Sequence, residues 1–437
     1  MKIGVVSLGC VKNRVDTEQM LSLLLKAGHT FTPDPAEAEI IIVNTCGFID
    51  PAKEESIQTI LEMAGYKAAG KCQKLIVTGC LAQRYGDALL ADMPEIDALL
   101  GVSQYEHIVE AVEAAAAGQR PDYRKRTWDM LECGRVLTTP AYSAYVRIGE
   151  GCDNRCAYCA IPLIRGGYRS RDEQAILDEA ARLAANGTKE LILISQDTTR
   201  YGRDNGRSLR ELVKKTAALP GVEWLRVLYM YPDETPLDLL EEMTAHDNVC
   251  RYLDLPLQHA SNKILKAMNR RGTIEEAEAL LNRARAMGFT LRTTFIVGFP
   301  GETEEDFGEL LDFTRRMRFD RMGAFAYSVE EDTPGASMPD QVPEEIKQER
   351  LDRLMAVQAQ VSRELNEQRV GTSCRVLVTG FEDGLYTGRS AMEAPDSDGV
   401  ICFTAERELN EGEFVTVKIV RADTYDLYGV MDMEEKA

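Results

Sequence analysis

Hydrophobic and polar positions fall into three textures along the chain. Over the first 118 residues, short apolar runs at 3–8, 40–43 and 75–78 alternate with helical patterns. In one of these, 16–27, Met20, Leu23, Leu24 and Ala27 share a face. Strands that alternate with helices predict a parallel sheet. A charged, irregular stretch at 119–140, with Pro121 and Pro140, reads as a linker. The alternation then resumes, with candidate strands at 144–149, 190–195, 224–229, 252–255, 291–297 and 321–327. Six βα steps predict an open or partial (β/α) barrel whose chemistry belongs at the carboxyl ends of its strands. Residues 343–369 read as one long helix starting at Pro343, with Leu354, Val357, Val361 and Leu365 on one face. From 370 the period shortens to β-rich runs at 374–378, 400–404 and 414–420, punctuated by glycines, which predicts a small antiparallel β-barrel. The expected fold class is α/β, in three domains: 1–118, 141–369 and 370–437.

Composition narrows the setting. A chain of 437 residues, 44% hydrophobic, buries a substantial core. No apolar run is long enough to span a membrane, and the first residues lack the pattern of a secretory signal. The expectation is a cytoplasmic protein with no membrane partner. A formal net charge of −20 repels free nucleic acid and suits a basic protein partner, although a local basic patch still admits RNA. Eleven cysteines, an odd number in a long chain, point to metal or redox chemistry rather than to disulfides.

Three of these cysteines, Cys152, Cys156 and Cys159, are spaced C-x3-C-x2-C directly after the first predicted barrel strand. Three thiolates this close fit three corners of a cubane cluster, and no fourth cysteine follows locally. One iron is then left to bind a small molecule. The alternative is a zinc site with a distant fourth ligand, but the four histidines lie far off in sequence. The segment resembles the signature of the radical S-adenosylmethionine superfamily. That resemblance implies that the open iron chelates S-adenosylmethionine, whose cleavage yields a 5′-deoxyadenosyl radical. Tyr158 matches an aromatic packed near the adenine, with ordinary loop packing an equal alternative.

A second set is scattered in sequence but shares a position. Cys10, Cys46 and Cys80 each follow a predicted strand of the N-terminal sheet. In a parallel sheet those ends share one edge, where ligands bind. A second three-ligand cluster site follows; packing at strand ends is the alternative. Cys72, Cys133, Cys250, Cys374 and Cys402 show no such placement and read as structural. Gly9-Cys10, Asn44-Thr45-Cys46, Gly79-Cys80 and the radical motif together resemble the methylthiotransferase family over essentially the whole chain. That family joins an N-terminal α/β domain, a radical domain and a terminal barrel called TRAM. The resemblance implies two 4Fe–4S clusters, S-adenosylmethionine, and an electron donor such as flavodoxin or ferredoxin. Further segments, including 7–16, 161–166, 195–199, 255–259 and 325–335, resemble the RimO type. Its substrate is an aspartate of ribosomal protein S-twelve, free or in the small ribosomal subunit. A transfer-RNA adenosine methylthiotransferase is the rival within the class, and a non-catalytic iron–sulfur RNA-binding sensor the rival outside it.

Other signals are weaker. Gly298 and Gly301 end a predicted strand where the family holds the adenosyl group, and a tight turn explains them equally. Gln196, Asp197 and Asp254 sit near strand ends as candidate cofactor or substrate contacts. His259 is a candidate proton-handling group, with a structural role the commoner outcome. Arg124-Lys125-Arg126 reads as a solvated linker run. Residues 370–437 carry six basic against fourteen acidic residues, a poor composition for an RNA-binding barrel.

Overall fold

The computed structural model describes residues 1–125 and 130–432. Arg126 of the basic run, and Glu434, Glu435 and Lys436 of the terminal charge count, lie outside the described residues. The chain divides into two compact units. One combines Met1–Thr139, Arg147–Ala175 and Ser328–Ala336; the other combines Pro140–Val146, Ile176–Tyr327 and the chain described from Ser337 on. The radical motif thus belongs to the same compact unit as the N-terminal sheet.

The first unit opens with β1 (Lys2–Ser7), α1 (Val11–Lys26), β2 (Thr30–Phe31), β3 (Ile40–Thr45), α2 (Asp50–Ala69), β4 (Lys74–Gly79), α3 (Cys80–Asp92), β5 (Ala98–Leu100), α4 (Ile108–Ala116) and β6 (Asp122–Tyr123). Its sheet runs β2-β1-β3-β4-β5-β6, all parallel. β3 is buried along its whole length, as the continuous run Ile40-Ile41-Ile42-Val43 requires of a strand covered on both faces. Chain order reverses between β1 and β3, the switch point at which such sheets bind ligands. The stretch read as linker is not all irregular: β6 pairs with β5 and extends the sheet. Nor is Arg124 a solvated linker residue, since its guanidinium lies 2.6 Å from both Asp87 and Asp122.

β7 (Ser143–Arg147) leads into β8 (Gly149–Glu150), α5 (Ile161–Arg165) and β9 (Arg169–Ser170). β8 and β9 pair antiparallel and close the cysteine loop between them. Ala160 and Ile164 join Met20, Leu24, Ile76 and Tyr105 in the core beneath the N-terminal sheet. That packing is why this loop belongs to the first unit.

The second unit continues through α6 (Glu173–Ala185), β10 (Glu190–Ile194), α7 (Leu209–Ala217), β11 (Trp224–Val227), α8 (Leu237–Thr244), β12 (Tyr252–Asp254), α9 (Asn262–Ala267), α10 (Ile274–Ala286), β13 (Thr290–Val297), α11 (Glu304–Met317), β14 (Arg321–Ala326) and α12 (Glu344–Glu367). The strands form two three-stranded runs, β7-β10-β11 and β12-β13-β14, with a parallel bridge between Leu225 and Val249. This is the expected partial barrel. A closed barrel follows, of β15 (Ser373–Glu382), β16 (Leu385–Arg389), β17 (Ile401–Thr404), β18 (Phe414–Ala422) and β19 (Leu427–Met431). Val415, Val417 and Ile419 point inward and alternate with outward positions, which gives it its own core. One pair, β17 with β19, runs parallel rather than antiparallel. A ring of five strands cannot alternate direction all the way round, so closure forces one such pair.

The segment Ser390–Asp398 between β16 and β17 docks on the amino ends of the radical strands. Glu190 on β10 binds Arg226 and, at 2.6 Å, Arg389. Arg226 also donates to the Ala391 carbonyl. Glu393 takes Arg321 and Arg369 at 2.7 and 2.5 Å, and Asp398 accepts from Tyr252 at 2.6 Å. Glu190, Arg226 and Glu393 are all but completely buried. Burial opposes ionisation of Glu190 and Glu393, but their arginine partners overcome it and hold both carboxyls down at about 2.

Candidate functional site

The N-terminal triad is built by strand register. Ser7 lies beside Asn44, Asn44 beside Thr78, and Thr45 beside Gly79. The residues just past β1, β3 and β4 are therefore neighbours on one edge. Cys10 sits there as the residue preceding α1, Cys46 directly after β3, and Cys80 as the first residue of α3. Cys10 is exposed; Cys46 and Cys80 are buried. Gly9, at φ +80°, leaves room for them: a Cβ there would stand 2.7 Å from Cys46 Cβ and 3.0 Å from its sulfur. Gly79, at φ +98°, similarly avoids Asn44 Oδ1 and the Thr45 carbonyl.

Four residues to which the sequence assigned no role hold this edge. Asn13 Nδ2 donates to the Leu8 and Thr45 carbonyls at 3.1 and 2.9 Å, while its Oδ1 lies 3.5 Å from Cys80 Sγ. One amide side chain thus touches all three strand ends. Asn44 Nδ2 donates to the Asn13 carbonyl and Thr17 Oγ1. Ser56 on α2 accepts from the Cys46 amide and donates to its carbonyl. Arg165 on α5 donates to Asn13 Oδ1 at 2.6 Å and reaches Cys80 Sγ at 3.8 Å. The available signal was a charged residue closing an otherwise apolar helical turn, 161–165.

Arg165 belongs to a buried network with Arg147, Asp16 and Glu150. Its Nη1 lies 3.0 Å from both Glu150 oxygens, and its Nη2 lies 2.9 Å from Asp16. Arg147 binds the same two carboxylates. Two cations face two anions, as burial demands. Burial opposes ionisation of Glu150, yet Arg165 and Arg147 hold it down at about 2. Burial likewise pushes the Cys46 thiol up, and the Cys80 thiol up to about 12, with the Arg165 charge opposing the rise. A ligand that takes thiolates must displace those protons.

The radical loop is a hairpin closed on itself. Gly151, at φ +76°, packs so tightly that a Cβ would lie 2.1 Å from the Gly167 carbonyl. The Cys152 amide donates to the Gly166 carbonyl, Tyr168 N to Asp153 Oδ1, and Cys159 N to the Cys156 carbonyl. Cys156 is buried, while Cys152 and Cys159 are half-buried, as is Tyr158 in the same loop.

The remaining candidates lie in the second unit. Gln196, just past β10, is half-buried. Gly298, at φ +74°, is approached by Lys347, whose Cγ a Cβ would meet at 2.3 Å, and its amide donates to Glu302 at 2.7 Å. Gly301, at φ +79°, donates to the Asp340 carbonyl and has open space where a Cβ would stand. Asp254 accepts from Arg292 and the Tyr229 amide, and Asp197 caps the short turn after it. His259 is fully buried, accepts from Ser261 N, and holds Nε2 3.4 Å from Glu302.

Among the described residues, no three His, Cys, Asp or Glu side chains close tightly enough to ligate a single metal ion. A mononuclear thiolate site would draw its sulfurs to about 4 Å of one another. A cubane instead spreads three cysteines over separate irons. Three thiols on one strand edge, with a glycine cradle beside them, are a donor set that such a cluster could take.

Fold and family matches together mark a radical S-adenosylmethionine enzyme. Residues 146–314 match the radical SAM superfamily, 2–101 the uncharacterized protein family UPF0004, and 370–431 the TRAM domain. The chain is 50% identical over 439 residues to the ribosomal protein uS12 methylthiotransferase RimO of Desulforamulus reducens, covering 98% of each chain. The protein of the same name from Desulforudis audaxviator is also 50% identical, over 98% of this chain and 96% of its own. The chain belongs to the RimO family of methylthiotransferases. Among solved structures, the radical methyltransferase TsrM from Kitasatospora setae matches with a TM-score of 0.56 at 14% identity, over 88% of this chain and 80% of its own. The cobalamin-dependent radical enzyme OxsB matches at 0.51 and 12% identity, over 81% and 56%. Both likenesses concern the fold alone.

Proposed function

We propose that this chain attaches a methylthio group to the β-carbon of an aspartate in ribosomal protein uS12, in the cytoplasm. Cys152, Cys156 and Cys159 would hold one 4Fe–4S cluster; Cys10, Cys46 and Cys80 would hold a second. The observation that carries this reading is the second triad at the β1/β3/β4 edge. A radical fold alone serves many reactions, whereas sulfur insertion calls for a further sulfur-bearing site. The bound clusters and two S-adenosylmethionine molecules, fed by a donor such as flavodoxin or ferredoxin, supply the hydrogen-abstracting radical, the sulfur and the methyl group. The chain's own part is to hold and shield them. Asn13, Ser56 and the glycines fix the sulfur-side ligands. Tyr158, Gln196, Gly298 and Gly301 are the proposed contacts to S-adenosylmethionine.

The substrate reading draws support from the named relatives and from the terminal barrel. Three of its five described cations are already paired with carboxylates of this chain. Arg389 is buried against Glu190, Arg375 pairs with Glu223 at 2.7 Å, and Arg407 pairs with Glu413. Lys418 is exposed, and Arg421 lies over the Tyr428 ring. Such a surface repels a phosphate backbone and attracts a basic protein.

The test is mass spectrometry of uS12 after incubation with reconstituted enzyme, S-adenosylmethionine and a low-potential reductant. A methylthio group on one aspartate is expected. Replacing Cys10, Cys46 and Cys80 with Ala is expected to spare release of 5′-deoxyadenosine and to stop product. Modification of transfer RNA with none of uS12 would transfer the assignment to the other subfamily.

A further inference from the structure

We propose that Arg165 is a positioning residue for the N-terminal triad, and that its guanidinium sets the reduction potential of the cluster held there. The inference rests on reading Cys10, Cys46 and Cys80 as cluster ligands. Arg165 is 3% exposed, and its Nη2 lies 3.8 Å from Cys80 Sγ. The same nitrogen donates to Asn13 Oδ1, the side chain that ties Leu8 and Thr45 into the edge. Asp16 and Glu150 take the other donors of the fork. A lysine carries its three N–H donors on a single nitrogen and cannot span all four groups, so the planar fork is what this position uses.

The network is neutral as a whole, but its members lie at different distances from the sulfur. The cation is the member within reach of Cys80. Reduction adds an electron to the cluster, and a buried positive charge beside a ligand sulfur stabilises that added charge. Arg165 therefore raises the potential. Glu150 stands two residues before Cys152, so the same guanidinium also anchors the start of the radical loop. A purely structural salt bridge would hold α5 on the sheet and leave the potential unchanged.

The experiment uses the full chain with Cys152, Cys156 and Cys159 replaced by Ala, reconstituted and assayed for iron. About four irons per chain must remain; a lower content refutes the ligand assignment itself, before any potential is read. Midpoint potentials are then measured by spectroscopically monitored redox titration. The pair Arg165→Gln with Glu150→Gln removes one cation and one anion, so no lone buried charge is left. It is expected to raise the oxidised-to-reduced ratio about tenfold at fixed applied potential, a negative shift of about 59 mV for one electron. Asp16→Asn leaves the guanidinium less neutralised and is expected to move the midpoint the opposite way. Because the two shifts have opposite signs, failure of one variant to load iron leaves the other decisive. A native midpoint in a loaded variant overturns the proposal.

Discussion

Single atoms decide whether the N-terminal triad forms. Gly9 combines a left-handed φ with a 2.7 Å approach to Cys46. Gly9→Ala therefore meets both a backbone penalty of about 1–2 kcal/mol and a clash. The chain is expected to stay folded and to lose about four irons on reconstitution, the content of one cluster. Iron and sulfide analysis checks this, and a full complement in the variant would remove the steric argument. All six proposed ligands were chosen from the sequence, because thiolate chemistry leaves few residue types to choose from and strand ends can be counted, and the structure sets Cys10, Cys46 and Cys80 just past β1, β3 and β4. Asn13, Ser56 and Arg165 were not. Their work is hydrogen bonding across 15 or more residues of sequence, or to backbone atoms, and no local pattern marks that. Gly298 shows the converse: its backbone freedom was visible, but Lys347, the neighbour that exploits it, was not.

At the level of elements, periodicity located all six radical strands to within a residue or two, and the long helix as well. It missed β6, two residues long, because so short a strand has no period. It also missed the parallel β17–β19 pair, which follows from closing an odd ring rather than from either strand's composition. The docking of Ser390–Asp398 was hidden for a third reason: its acids look like ordinary surface charge until their arginines are placed. These pairs make two predictions. Arg226→Met strands Glu190 beside a single remaining arginine and is expected to cost about 3–5 kcal/mol in denaturant unfolding. Acid is expected to weaken the same region. Glu190 and Glu393 stay ionised in the folded protein down to about 2, whereas the unfolded chain takes up their protons near 4.5. Their contribution is complete above about pH 5 and is lost as pH falls toward 2, on the order of 3 kcal/mol each. Thermal melts from about pH 7 to about pH 3 should show a shallower acid limb in Glu393→Gln than in wild type. Parallel curves would mean that the carboxyl is not held ionised.

Over the whole molecule, charge is the property a partner meets first. A net charge of −20 would steer a basic protein, such as the proposed substrate uS12, toward this chain, and that steering weakens with salt. Raising ionic strength from about 0.05 to about 0.5 M is expected to lower the association rate for uS12 at least tenfold, with a smaller change in dissociation. Stopped-flow measurement separates the two, and a salt-independent on-rate would rule steering out. The terminal barrel also cannot be treated as a detachable arm. Removing residues from 370 on would strip Arg389, Glu393 and Asp398 from Glu190, Arg321 and Tyr252, so a truncated chain tests stability before it tests recognition.

The ion pair between Glu190 and Arg389 spans 199 positions of sequence, and that distance is also an interval of time. At a synthesis rate of about 5–20 residues per second, Glu190 is made roughly 10–40 s before its partner. Tyr252 and Arg321, once made, wait in turn for the acids that will cover them. The nascent chain carries its proposed cluster cysteines long before it carries the segment that seals its floor. A message broken late therefore yields a chain with every proposed cluster ligand and an unfinished base, a form that proteases and chaperones would meet before any substrate does.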